Sequence, residues 1–308
     1  GNVSEAVTSS CISGLPCSLV MPVPQATRPQ NVIISAQNGL ALDSGSVVQS
    51  ANSSPSIIAN LGGITTTLGN TVNVGGIVSV PGVNLGTGDT VNGNIVTGGV
   101  VTNPFGSSTI TGTTSSLQTI GTSAPVEGTV TFPTTSPAAV TVSSGTQSLA
   151  PGSYGAVSVN AGATLALSGG KYLFTSLNVA AGATLDLTEA AGTVVVYIYN
   201  GFQFAGNEVQ HGGDGQVLLS DFNGTLDLIT SPFRGTVSVQ TGSIQLVSTT
   251  PATYAGSFFG ASVHVGANNT VLGLSPALPP PPSSPAILPP PLPAPPTEIG
   301  CFAYVLNT

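Results

Sequence analysis

A short segment of this chain says nearly the same thing twice. VSVNAGATLAL (Val157–Leu167) returns as LNVAAGATLDL (Leu177–Leu187), an offset of twenty residues. Val157 and Leu177, Val159 and Val179, Leu165 and Leu185, Leu167 and Leu187 coincide, and within each copy they alternate, as residues on one face of a strand do. Between them stand Gly162 and Gly182, where a sharp corner needs a residue tolerant of positive φ. A period near twenty is the mark of a solenoid, in which coils stack and like residues sit above like. The expected fold is therefore all-β, with a parallel, β-helix-like β-solenoid body. A β-sandwich is the competing fold, since it too shows many short strands, but it requires no repeat at a fixed offset.

The rest of the chain has the same texture. Stretches such as TVNVGGIVSV (Thr71–Val80), GTVVVYIYNG (Gly192–Gly201) and GTVSVQTGSIQL (Gly235–Leu246) read as short strands separated by tight turns. Helix formers are scarce beside 40 glycines and 25 prolines. The period is clearest over residues 140–275. Residues 31–135 share the texture without a strict period, and either continue the solenoid more loosely or form a separate β-domain divided near 135.

The ends differ from this body of residues 31–275. Residues 1–30 read as an extended N-terminal arm. Of the twenty-one residues from Pro276 to Pro296, twelve are proline, so 276–297 read as a polyproline linker. It leads to EIGCFAYVLNT, a candidate C-terminal strand over 298–308, with Ile299, Cys301 and Val305 on one face and Phe302, Tyr304 and Leu306 on the other. Twenty-one residues of polyproline II span roughly 65 Å, and ten coils stand roughly 50 Å tall at the usual strand spacing. The tail can thus carry its strand to a neighbouring molecule.

Charge excludes several functions. Charged residues are 5% of the chain, with three cationic side chains against eleven acidic ones. Such a surface cannot neutralise a phosphate backbone, so nucleic acid is not expected as a partner. No apolar run reaches the ~18 residues of a membrane span. The chain opens at Gly1 without a basic-then-apolar leader, as a processed product would. Of three cysteines, Cys11 and Cys17 could close a small loop, which suits an oxidising compartment, and Cys301, left over, points to pairing between chains.

Candidate chemistry concentrates in one acidic stretch. Glu208, Asp214, Asp221 and Asp227 lie close in sequence, followed by Arg234. A carboxylate pair there would suit a polysaccharide-degrading enzyme, although four acids in a Gly-rich stretch also read as solvated turns. Asp221, Asn223 and Asp227 offer oxygen donors for calcium without the full calcium-loop spacing. His211 and His264 stand apart from each other and from cysteine, which does not suggest zinc. Neither a catalytic site nor a cofactor is expected, and the reading is not an enzyme.

The Gly-Ala-Thr-Leu blocks and the Ser/Thr/Asn texture resemble bacterial secreted β-solenoid surface proteins of the adhesin and extracellular-filament kind, mainly over residues 140–275. That resemblance implies a class and no functional residues. The expected role is a structural subunit of an extracellular filament or cell-surface layer, self-associating head to tail by β-strand addition of the C-terminal segment. A monomeric adhesin or glycan-binding module, with surface glycans as partners, is the alternative.

Overall fold

The computed structural model describes residues 17–22, 32–50, 56–59, 63–79, 81–103, 106–116, 127–133, 137–187, 193–210, 217–222, 224, 226–239 and 241–273. The chain divides into Gly1–Ala277 and Leu278–Thr308, and every described residue belongs to the first unit. These residues form strands and turns, with no helix among them. The body is a parallel β-solenoid. Each coil passes through three successive faces, and every strand pair in the stack is parallel.

The doubled segment forms adjacent coils, as its offset requires. Val157 pairs with Leu177, Val159 with Val179 and Leu165 with Leu185. Gly162 and Gly182 have φ of 78° and 76°, and the Gly162 N–H donates to the Gly182 carbonyl at 2.9 Å. One glycine corner therefore sits on the other.

Three ladders show how far the stacking runs. On the first face, Gly152, Tyr172, Val196, Leu219, Val237, Phe258, Ile34, Ile57, Ile77, Ile95 and Thr114 are successive partners. On the second face an inward ladder runs Val142, Val159, Val179, Phe204, Ile229, Leu246, Val265, Leu42, Thr66, and each member is buried. The outward ladder beside it runs Thr141, Ser158, Asn178, Gln203, Leu228, Gln245, His264, Ala41, Thr65, Asn84, Thr102. The inward ladder is apolar except at Thr66 and the outward one polar except at Leu228 and Ala41, which is the strand period expressed coil after coil.

The order of coils in space is not their order in sequence. The chain enters the stack mid-height at Val32, with its first coil lying on Thr253–Val265. It then spirals outward to Thr114–Ser116 at one end. It rejoins the stack at the opposite end, where Val140–Val142 pairs with Gly152–Val159, and winds back to Thr270–Gly273. That last strand pairs with Val47–Ser50 of the first coil. A Cβ on Gly273 would lie 2.7 Å from Ile33 Cδ1, so the two points of entry and exit touch. The described residues between 32 and 116, where the sequence lacks a strict period, thus belong to coils of the same stack.

The core changes character along this axis. Tyr172, Phe174, Phe202, Phe204, Phe233, Tyr254 and Phe258 are fully buried on one side of the entry point, and Phe202, Phe204 and Phe233 meet ring to ring with centroids 5.4–6.2 Å apart. On the other side the filling is Ile, Val and Leu. A two-stranded antiparallel sheet, Cys17–Pro22 with Glu127–Phe132, lies outside the stack. Within residues 1–30, read above as an extended arm, Cys17–Pro22 is therefore a strand. Val130 and Phe132 pack with Tyr197, Leu173, Val195, Tyr199 and Phe222 on the outer side of the first face.

Candidate functional site

The acidic stretch forms a corner of the coil, and its two central carboxyls turn inward. Asp221 ends the strand Val217–Asp221 at the register of Ile198 and Val239. Asp227, in Leu226–Ile229, is paired with Ile244. Both occupy core positions and both are 0% exposed. Backbone donors replace water there. Gly201 N–H donates to Asp221 Oδ2 at 2.8 Å and Gly224 N–H to Oδ1 at 2.9 Å. Phe202 N–H donates to Asp227 Oδ1 at 3.0 Å.

Burial pushes the Asp227 carboxyl well above the ordinary carboxylate range. The charge of Asp221 and a side-chain hydrogen bond to it push the same way, while the Phe202 N–H pulls it down. The two carboxyls thus lie together in a corner closed to water. Neither reaches a surface groove, so Asp221 does not face a polysaccharide. Of the three oxygen donors read for calcium, Asp221 and Asp227 point into this corner, where backbone N–H groups donate to both oxygens of Asp221 and to Oδ1 of Asp227. Asp214, His211 and Asn223 lie outside the described residues.

Glu208 plays a different part. The strand Asn207–Gln210 sets Glu208 beside Leu185 and Gln210 beside Leu187, so two polar side chains continue two apolar ladders. Both reach the next coil. Glu208 Oε2 accepts from the Arg234 N–H at 2.6 Å, Gln210 Nε2 donates to the Arg234 carbonyl at 2.7 Å, and Gln210 Nε2 also donates to Glu208 Oε1. Side chains here do the bridging that the backbone ladder does elsewhere. Burial raises the Glu208 carboxyl from 4.5 to about 7, against the Arg234 N–H, the Gln210 amide and the Arg234 charge.

His264 sits on the outward ladder at the join between the last coil and the first. Its Nε2 lies 2.9 Å from Asp43 Oδ2. Cys11, Cys301 and the assembly-strand residues Ile299, Phe302, Tyr304, Val305 and Leu306 lie outside the described residues. Cys17 is described as strand backbone alone.

Sequence reasoning missed a second polar feature, a buried column at another corner. Ser46, Asn70, Asp89 and Asn269 are at most 2% exposed. Asn70 Oδ1 accepts from Ser46 N–H at 2.9 Å, and Asp89 Oδ1 accepts from Asn70 N–H at 2.8 Å and from its Nδ2 at 3.1 Å. Asp89 Oδ2 accepts from Gly86 N–H at 2.7 Å and from the Thr66 hydroxyl. Asn269 Oδ1 accepts from Ala252 N–H at 3.0 Å. A signal was present: Asn70-Thr-Val, Asp89-Thr-Val and Asn269-Thr-Val repeat one tripeptide.

That tripeptide also builds an outer surface. Its threonines align, so that Thr253, Thr270, Val47, Thr71, Thr90 and Thr109 form one outward ladder, and Gln49, Asn73, Asn92 and Thr111 another. Asn92 Nδ2 donates to Asn73 Oδ1, and the Thr111 hydroxyl to Asn92 Oδ1 at 3.1 Å.

A scan against protein-family models and a comparison with curated proteins return no match. Among solved structures, the chain is similar to an ice binding protein from an Antarctic bacterium, Flavobacteriaceae. Identity is 12%, with 81% of this chain and 82% of that chain covered and a TM-score of 0.27. At that score the likeness carries no argument about function.

Proposed function

We propose that this chain is a structural subunit of an extracellular filament or cell-surface layer, and not an enzyme. The observation that carries the reading is the eleven-member outward ladder from Thr141 to Thr102, which holds no Asp, Glu, Lys or Arg, on a stack whose terminal strands are exposed. Thr114, Ser115 and Ser116 at one end, and Gly145 to Ser148 at the other, are all open to solvent. Exposed, uncharged strand edges favour pairing with another chain. A repeated heterologous contact of that kind produces an open filament.

The C-terminal segment is one join. Residues 298–308 add as a strand to a neighbour's edge, the mode known as β-augmentation, and Cys301 forms a disulfide with Cys11 or Cys17 of that neighbour. The experiment is a truncation before Pro276 viewed by negative-stain microscopy. Filaments from the full chain and none from the truncated one are expected; filaments from both sink strand addition. A non-reducing gel of the full chain should show covalent multimers, and bands of monomer alone exclude the disulfide.

The Thr and Asn columns favour a second reading, a surface module that holds a glycan. Rows of hydroxyls and amides spaced about 4.8 Å apart offer a repeating hydrogen-bond array to a repeating ligand. Co-sedimentation with insoluble polysaccharides, abolished by Asn73→Leu with Asn92→Leu, is the expected outcome for that role.

A further inference from the structure

We infer that the two ends of the solenoid are complementary, and that copies of this chain join head to tail by stacking the terminal coil of one on the opposite terminal coil of the next. The inference rests on the reading of the chain as a self-assembling subunit and names a joint made by the body itself.

The outermost described strands at one end are Val100–Thr102, Thr109–Ile110 and Thr114–Ser116. At the other they are Val140–Val142, Gly145–Leu149 and the start of Gly152–Val159. Thr102 and Thr141 are the two ends of one ladder, and Thr114 and Gly152 the two ends of another. Stacking in that register therefore sets Thr102 on Thr141 and its neighbour Val101 on Val140. It also sets Ser115 on Ser153, and Thr114 against Gly152, which has no side chain to obstruct it. The pairs Thr102–Thr141, Val101–Val140 and Ser115–Ser153 continue the like-on-like order of the coils inside.

What is left uncovered at the ends agrees with this. The partly buried apolar residues packed against the main core are Val101, Ile110, Val140 and Tyr154, and all four belong to terminal coils. Sheet edges of proteins that stay apart carry lysine or another charge. Here no charged residue occurs from Val91 to Ser116 or from Pro137 to Gly170.

The molecule already contains such a joint. Between Val32–Leu42 and Thr253–Val265, two stretches remote in sequence stack coil on coil. They set Ile34 on Phe258, Leu40 on Val263 and Leu42 on Val265. No chain continuity is needed to make that seam, and the terminal coils present the same elements to a second copy.

The test is a cross-link that stacking alone brings within reach. Across a stacked joint, residues 102 and 141 are about 4.8 Å apart, inside the Cα range of a disulfide. Within one chain they are ten coil spacings apart, roughly 48 Å. Full-length chains carrying Thr102→Cys are mixed with full-length chains carrying Thr141→Cys and oxidised mildly, and the dimer band is mapped by mass spectrometry. A link from 102 to 141 is expected in the mixture and in neither variant alone. Its absence, with both variants giving the parent circular dichroism, overturns the inference, as do 102–102 and 141–141 links formed just as often. Ser115→Lys, at an exposed edge position, should weaken self-association at least about tenfold, because the joint would bury an unpaired charge. If the full chain stays monomeric at every concentration, the subunit reading fails with the inference. If it assembles without the 102–141 link, stacking alone fails.

Discussion

Gly224 shows how closely the acid corner is packed. A Cβ there would lie 2.8 Å from Asp221 Cγ and 2.9 Å from Asp227 Oδ1, both inside van der Waals contact. Gly224→Ala should therefore destabilise the body by about 1–3 kcal/mol, the usual cost of overpacking, read as a fall in the urea midpoint. The two raised carboxyls set the direction of pH dependence. Glu208 binds its proton up to about pH 7 in the folded chain, while the unfolded chain releases it near its ordinary value. Between those limits the folded state holds more protons, so raising pH lowers stability. Asp227 acts in the same sense. The melting temperature should fall as pH rises from about 4.5 to 7, and the slope should flatten in Glu208→Gln; an unchanged slope would place the effect elsewhere. The sequence named these acids but read them as surface groups, because an Asp in a Gly-rich stretch looks like a solvated turn. Only the register, with Ile198 before Asp221 and Val239 after it, reveals a core position.

Among the elements, the corner column carries more than its residue types suggest. Asp89 accepts four hydrogen bonds from Asn70, Gly86 and Thr66, and it is 2% exposed. Asp89→Ala strands these buried donors, each worth about 1–3 kcal/mol, and should cost several times what removing an exposed outward residue such as Asn92 costs. Chemical denaturation of the two variants side by side checks the ratio. The flanking sheet is held differently, through Phe132 against Tyr199 at 5.8 Å and through Val130 with Tyr197. Phe132→Ala should cost about 3 kcal/mol and raise exchange of the amides in Glu127–Phe132 before those of the stack. Strand alternation was legible throughout, since inward Val and Leu alternate with outward Ser, Thr and Asn. The pairing of Cys17–Pro22 with Glu127–Phe132 was not, because antiparallel partners so far apart leave no local pattern.

At the scale of the molecule, the period of twenty predicted stacking but not its order. Ladders of Val and Ile look alike at every junction, so nothing in the residues marks the place where Thr270–Gly273 meets Val47–Ser50 instead of a sequence neighbour. The spatial order is that of a plain spiral whose ends have been joined and whose middle has been opened. A permutant that links Thr308 to Gly1 and begins between residues 117 and 126 retains every residue of the chain. It should fold to the same circular dichroism spectrum, with a melting temperature within a few degrees of the parent; failure to fold would show that the long return connection is indispensable. The contact between Gly273 and Ile33 also decides how the body bears load. A pull applied through residues 32 and 273 acts at one corner, across a single junction of strands, and leaves the coils above and below it slack. A body held at that corner can be tugged while the tension bypasses both of its tips.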